Sequence, residues 1–342
     1  MSQVFKNILS FSLSELTERL SSFGESAYRA KQIFDWLYVK KVSDVRSMTS
    51  LSKGLRDKLV EGLPFPVLKQ EKHQASQDGT VKFLWSLHDG ERIETVLIPM
   101  EDHNTLCISS QAGCKFSCGF CASGIGGWKR NLDCGEIVGQ VLNAARAVAP
   151  KSITHIVFMG VGEPFDNYDN VLKAARILNA KEGLNIAARR ITISTCGVVP
   201  GIKRLETEGL QLELSVSLHA SNDKVRSQLM PVNRKYPLKE LLGACRNYAK
   251  ETNRQVTFEY ILIKDLTCTE QAANELQGHL RGWLCKLNLI ACNPVEEFSY
   301  QPPTRAEIEK FLSMLERRGI HATFRTPRGR DIAAACGQLR VS

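Results

Sequence analysis

From about residue 104 onward, apolar stretches rich in β-branched residues alternate with amphipathic ones, and this alternation restricts the fold more than any other feature of the chain. Six strands are expected: TLCIS (105–109), ITHIVFM (153–159), RITIST (190–195), LELSVS (212–217), VTFEYIL (256–262) and LNLIAC (287–292). Helical periodicity near 134–147, 169–180, 238–251, 269–281 and 304–318 separates them. Such alternation predicts an α/β architecture in which helices cover a parallel sheet. Six units are too few for a closed eight-fold barrel, so the expected form is an open or partial (β/α) barrel.

Upstream the pattern changes. SLSELTERL, YRAKQIFDWLYVK and SKGLRDKLVEGL read as helices, with Pro64 and Pro66 as a stop. VKFLWSL and RIETVLIP read as two strands joined by His88-Asp89-Gly90. The expected division is a small helical domain at 1–75, a strand-rich connection at 76–104 and a core at 105–342. With 342 residues, 43% of them hydrophobic, the chain has ample material for a packed core. No stretch approaches the ~18 consecutive apolar residues of a membrane span, and the N-terminus reads as a first helix rather than a signal peptide. A cytoplasmic chain keeps its thiols reduced. The eleven cysteines, an odd number, therefore point to metal binding or thiol chemistry rather than a disulfide framework.

In barrels of this kind chemistry gathers at the C-terminal ends of the strands. TLCIS runs into SQAGCKFSCGFC, ITHIVFM into Gly160-Val161-Gly162-Glu163-Pro164, and RITIST into Cys196-Gly197. LELSVS runs into Leu218-His219 and LNLIAC into Asn293-Pro294. Any one strand has to stop somewhere, and Gly or Pro stops it. Five of six ending in polar, Gly-rich or Cys-rich residues fit one shared site better.

The charge is uneven. Residues 1–100 hold 14 Lys/Arg against 12 Asp/Glu, whereas from Arg317 onward there are six arginines against Asp331 alone. That is +5 of the net +9. Guanidinium groups suit phosphate oxygens and so point to nucleic acid. A solvated face with a cationic helix end at Arg317 and Arg318 explains the cluster about as well.

Cys114, Cys118 and Cys121 have the spacing C-x3-C-x2-C in a Gly-containing loop. Three clustered thiolates can hold a soft metal or an iron–sulfur cluster. A structural zinc would want a fourth ligand and a shorter first gap. On a four-iron cluster, three ligands leave one iron open to the amino and carboxylate groups of S-adenosylmethionine. Three incidental loop cysteines would be the bland alternative, and the spacing argues strongly against it.

With these segments in hand, the chain resembles the RlmN/Cfr family of radical S-adenosylmethionine methyltransferases. TLCISSQAGC, MGVGEP, RRITISTCGVVPGIKRL, VSLHASNDKVRSQLMPVNRKYPL and DIAAACGQL carry the likeness, and RAKQIFDWLY is similar to the family's small helical accessory domain. The resemblance implies a partial (β/α)6-type radical SAM barrel, one 4Fe-4S cluster on Cys114, Cys118 and Cys121, and S-adenosylmethionine as both methyl donor and radical source. It implies that Cys336 carries the methyl group, that Cys107 resolves the protein–RNA adduct through a transient disulfide, and that Glu94 accepts a proton. Read bare, Cys336 would be a small buried hydrophobe and Glu94 a surface strand residue. Gly162, Glu163, Ser194, Ser217, the Leu218 backbone, His219 and Asn293 match the family's cofactor contacts.

The implied reaction is methylation of C2 of an adenosine in 23S rRNA and of an adenosine in the tRNA anticodon loop. An electron donor such as flavodoxin or ferredoxin is implied, with a monomeric enzyme in the cytoplasm. Two alternatives stand beside it: C8 methylation of the same rRNA adenosine, conferring antibiotic resistance, and a non-catalytic iron–sulfur RNA-binding protein. The chain departs from the family at Cys196, where Ser is usual, and in LIKDLTCTE around residues 263–270.

Overall fold

A computed structural model describes residues 7–340. Residues 1–6 and 341–342, which fall in the first and last expected segments, lie outside the described residues.

Twelve strands are present among the described residues: β1 (Leu68–Ala75), β2 (Val81–Leu87), β3 (Arg92–Pro99), β4 (Asn104–Cys107), β5 (Gln111–Gly113), β6 (Trp128–Asn131), β7 (His155–Phe158), β8 (Ile191–Thr195), β9 (Glu213–Ser217), β10 (Val256–Leu262), β11 (Cys285–Ala291) and β12 (Ala322–Arg325). Ten of them form one sheet in the order β1-β2-β3-β4-β7-β8-β9-β10-β11-β12. From β4 to β12 every neighbouring pair is parallel. The six expected strand–helix units are therefore present, and a seventh parallel strand, β12, follows them. β1 to β3 add an antiparallel meander on the other side.

The sequence alternates within the parallel strands, and this shapes the barrel. Ile156, Phe158, Ile191, Ile193, Leu214, Val216, Phe258 and Leu287 are almost fully buried in the hydrophobic core. The intervening residues, among them Thr192, Glu213, Ser215, Thr257, Lys286 and Asn288, line a polar cavity. Residues from β3 (Ile98) round to β12 (Arg325) share that one cavity, so the sheet curls about it as a partial barrel.

Two strands escaped the periodic reading for clear reasons. β1 carries Lys69, Gln70, Glu71, Lys72 and His73, all exposed, and its pairing with β2 joins it to the sheet. It lies inside the segment expected to be helical, where the helices end at Gly62. β12 is four residues long and alternates half-buried with exposed positions.

The N-terminal helices start where capping predicts. Ser12 and Glu15 form a reciprocal capping box for Leu13–Ser21, and Ser52 caps Lys53–Gly62. Their apolar faces join the same core as the barrel helices. The Asn7 side chain donates to Asp133 at 3.0 Å, and Lys173 meets Glu15 at 2.7 Å. Among the described residues no helix is long and apolar enough to cross a membrane.

After β12 the chain crosses back to the meander. Gly329 N donates to Asp78 at 2.9 Å, Ser76 donates to Asp331 at 2.6 Å, and Lys82 donates to the Ala333 carbonyl at 3.1 Å. Arg340 N then donates to Glu94 at 2.9 Å. Gly329 has φ +66°, and a Cβ there would lie 2.9 Å from Thr80, so this crossing needs glycine. The segment that carries Cys336 is thus clasped between the two ends of the open sheet.

Candidate active site

The cysteine loop is framed by its own short hairpin. β5 and β6 pair on either side of residues 114–127, and Cys114 N donates to the Gly127 carbonyl at 3.2 Å. Gly119 N reaches the Leu229 carbonyl at 2.8 Å and Ala122 N reaches the Gly337 carbonyl at 2.7 Å. The loop is therefore tied both to the barrel and to the Cys336 segment.

Cys114, Cys118 and Cys121 line one cavity with roughly 1000 Å³ of atom-free space, its open mouth included. Burial raises all three thiols, Cys114 to about 12, and at Cys118 repulsion from the other two sulfurs adds to it. A positively charged metal centre is what such thiols need to ionise. Among the described residues no group of three or more His, Cys, Asp or Glu side chains is placed to hold a metal ion. Three thiols lining one cavity at the spacing C-x3-C-x2-C are the ligand type that an iron–sulfur cluster takes.

Gly162, Glu163, Ser194, Ser217, His219 and Asn293 line this same cavity, brought together from the ends of β7, β8, β9 and β11. Gly162 has φ +107°, and a Cβ there would lie 2.6 Å from Gln111, so the backbone approaches closely. Burial raises the Glu163 carboxyl; its two oxygens accept from Phe165 N at 2.9 Å and Cys196 N at 2.6 Å, which fixes its orientation. His219 takes a left-handed backbone conformation, φ 57°, and its Nδ1 accepts from Ile261 N at 3.1 Å. Burial, helped by Arg226, lowers this imidazole to about 3, so it is neutral at pH 7. Leu218 stands apart: its side chain is in the core and its carbonyl is taken by Arg226 at 3.0 Å. Cys196 also lines the cavity, where burial followed by repulsion from Glu163 raises its thiol.

Cys336 lines the same cavity, and it is exposed through the mouth although protein surrounds its sulfur on most sides. That surrounding raises its thiol, and Arg325 opposes the rise. Cys107, at the end of β4, is buried, and burial raises its thiol, with Cys336 adding to the effect. The two cysteines are free and line a second cavity together. Glu94 lines neither. It is buried on β3, with Lys82 Nζ at 3.0 Å from one oxygen and Arg340 N at 2.9 Å from the other. Burial, outweighing Lys82, raises its carboxyl.

Sequence reasoning missed Arg226. It is fully buried, and its guanidinium donates to the carbonyls of Cys196, Ser217 and Leu218 and to Asn233 Oδ1, all within 3.0 Å. It fixes the ends of β8 and β9 behind the cavity. A charged residue in a helix pattern gives no sign of this; only its place within SNDKVRSQLMPVNR marked it.

The C-terminal arginines are mostly engaged within the protein. Arg340 pairs with Glu297 at 2.7 Å, Arg330 donates to Asn293 at 2.7 Å, and Arg318 donates to Asn274 at 2.8 Å. Arg325 and Arg328 line the second cavity.

The chain matches the Radical SAM superfamily over residues 108–271 and the ribosomal RNA large subunit methyltransferase N-terminal domain over residues 6–63. It is 46% identical over 337 residues to probable dual-specificity RNA methyltransferases RlmN of Bacillus cereus and Geobacillus thermodenitrificans, covering 98% of this chain and 93% of each relative. The crystal structure of a radical SAM methyltransferase from Sphaerobacter thermophilus superposes with a TM-score of 0.95 at 47% identity, covering 98% of this chain and 99% of that one.

Proposed function

The chain belongs to the RlmN family of radical S-adenosylmethionine RNA methyltransferases, and from that membership we propose that it methylates C2 of an adenosine in 23S rRNA and of an adenosine in the tRNA anticodon loop. The observation that carries this reading is that Cys107 and Cys336, far apart in sequence, line one cavity beside the one holding the three-thiol loop.

Cys114, Cys118 and Cys121 hold a 4Fe-4S cluster, which supplies one-electron reductive cleavage of S-adenosylmethionine. Gly162, Glu163, Ser194, Ser217, His219 and Asn293 bind and orient the cofactor, and the neutral His219 adds no competing charge. An aromatic adenine carbon is a poor nucleophile toward a sulfonium, whereas a thiolate is a good one. Cys336 Sγ therefore takes the methyl group first and carries it as a thioether. After the carrier carbon has given up one hydrogen atom and bonded to the base as a CH2 bridge, the Cys107 thiolate attacks Cys336 Sγ: the disulfide forms, the bond from Cys336 Sγ to the bridge breaks with its electron pair left on the carbon, and a proton taken up there completes the methyl group of the freed RNA. The disulfide is then reduced by a cytoplasmic dithiol, which restores both cysteines. An electron donor of the flavodoxin or ferredoxin class serves the monomeric enzyme.

Glu94 accepts the proton lost from the adduct. Both its oxygens are engaged under the 333–340 segment, so in this role the segment must first shift off it.

Expression of Cys107→Ala tests the reading. RNA covalently held on Cys336 is the expected product, and recovery of free protein alone from an otherwise active preparation would count against it. Mass spectrometry of the freed nucleoside decides position: 8-methyladenosine without 2-methyladenosine would overturn C2. A non-catalytic RNA-binding protein would cleave no S-adenosylmethionine after reconstitution and reduction.

A further inference from the structure

The loop that carries the three cluster thiols turns an apolar pair outward. Trp128 and Ile125 are 43% and 46% exposed, two of the seven large apolar side chains exposed among the described residues. Each sits beside the neighbour of a cluster cysteine. Trp128 is the register partner of Gly113, which precedes Cys114, and strands so paired lie about 5 Å apart. A Cβ on Gly124 would lie 2.9 Å from Ser117, so the turn that presents Ile125 packs against the residue before Cys118.

Positive charge frames this pair. From Cys114 to Leu132 the chain has Lys115, Lys129 and Arg130 and no acidic residue; from Lys224 to Lys239 it has five cations and again no acid. The second stretch flanks the loop. Gly119 N donates to the Leu229 carbonyl at 2.8 Å, and Phe116 and Tyr236 pack on one small apolar cluster. Lys115 is held by Asp166 at 2.7 Å, and Arg130 by Asp89 and Glu136. Lys129, Arg234 and Lys235 are exposed, with no carboxylate in either stretch to neutralise them.

An iron–sulfur cluster on these thiols receives its electron by tunnelling, whose rate falls exponentially with distance. A protein carrier must therefore dock on the surface nearest the cluster, and Trp128 and Ile125 are on it. Lysines alone would serve RNA phosphates equally well. The apolar centre inside a charged rim, and its closeness to the redox group, favour a protein that delivers electrons.

We propose that this face docks an acidic one-electron carrier protein, with Trp128 and Ile125 as the apolar anchor and Lys129, Arg234 and Lys235 steering it. The inference rests on the reading of Cys114, Cys118 and Cys121 as cluster ligands. In the complex one electron leaves the reduced carrier and enters the oxidised cluster, with no bond made or broken and no further reactant.

Reduced flavodoxin, an acidic flavoprotein, is the probe. Its affinity for the holoenzyme and the rate of cluster bleaching after mixing are measured at rising salt. Wild-type protein should be reduced fastest at low ionic strength, since steering raises association by about tenfold or more and salt screens it. The double variant Lys129→Glu, Lys235→Glu should be reduced about tenfold more slowly at low salt, with the gap closing at high salt. Trp128→Ser should weaken the complex by about tenfold or more at every salt concentration. Both variants should keep the iron content of the wild type, its reduction by dithionite and its affinity for an RNA stem-loop. Unchanged flavodoxin binding and reduction in both variants would overturn the docking face. Loss of RNA affinity with flavodoxin binding intact would overturn it too and assign the face to RNA. A wild-type cluster that dithionite reduces, but that flavodoxin neither binds nor reduces, would overturn this inference alone. Wild-type protein that loads no iron, or Cys118→Ser protein that loads it normally, would overturn the cluster reading and this inference with it.

Discussion

The carbonyl of Cys336 accepts a hydrogen bond from the Asn293 side chain at 2.9 Å, and Arg330 donates to the other end of the same amide at 2.7 Å. One amide thus links the end of β11 to the segment bearing the proposed methyl carrier. Asn293→Leu keeps the volume and removes both bonds. It should cost about 1 kcal/mol in stability and lower the fraction of Cys336 carrying S-methyl. Urea unfolding and peptide mass spectrometry read the two effects, and full S-methyl occupancy would argue that the amide does not position Cys336.

Lys82→Met should be more damaging at high pH than at low pH. Glu94 is buried with Lys82 as its cationic partner, and its carboxyl already lies above the ordinary glutamate range. A raised folded-state value means the folded protein holds a proton that the unfolded chain has released. Stability therefore falls as pH rises from the ordinary value through the raised one. Removing Lys82 raises Glu94 further and extends that loss upward in pH. Breaking such a buried pair costs roughly 3 kcal/mol or more when the remaining group must stay charged. Thermal unfolding at pH 5 and pH 8 should show the larger loss at pH 8; equal losses would mean Lys82 acts only through its bond to Ala333.

Arg226→Lys should destabilise the protein by about 3 kcal/mol. A lysine ammonium is a point charge and cannot reproduce the guanidinium fork that reaches three carbonyls and Asn233. Because those carbonyls sit at the ends of β8 and β9, S-adenosylmethionine binding to whatever protein folds should weaken as well. Wild-type unfolding in urea would show that the guanidinium fork is not needed.

Cys118→Ser should abolish iron loading, whereas Cys196→Ser should leave it intact. Both cysteines line the first cavity, but only Cys118 belongs to the three-thiol loop. Iron and sulfide analysis after anaerobic reconstitution distinguishes them. Loss of iron in Cys196→Ser would make Cys196 a ligand in its own right.

Much of this architecture was legible in the sequence because the parallel strands pair apolar outward faces with covering helices, and the strand ends at Cys196, His219 and Asn293 stood out chemically. What escaped was set by tertiary pairing rather than by local pattern. β1 is a run of exposed charged and polar residues that becomes a strand only beside β2. The arginine cluster looked like one uncommitted basic surface, yet Arg318, Arg330 and Arg340 are bound to partners distant in sequence. Glu94 was found by likeness alone, and its burial beneath the 333–340 segment depends on a contact 246 residues away.

The clasp on the open sheet also has a consequence for the order of folding. Its bonds Ser76–Asp331, Asp78–Gly329, Lys82–Ala333 and Glu94–Arg340 close loops of 255, 251, 251 and 246 residues. Contacts of such long range pay their loop-closure entropy in full before they return any stabilisation, so they form late. The cysteine loop, by contrast, closes locally between β5 and β6. In a refolding chain the hairpin that frames the cysteine loop therefore has the shorter loop to close, and the clasp that seats the Cys336 segment has the longer one.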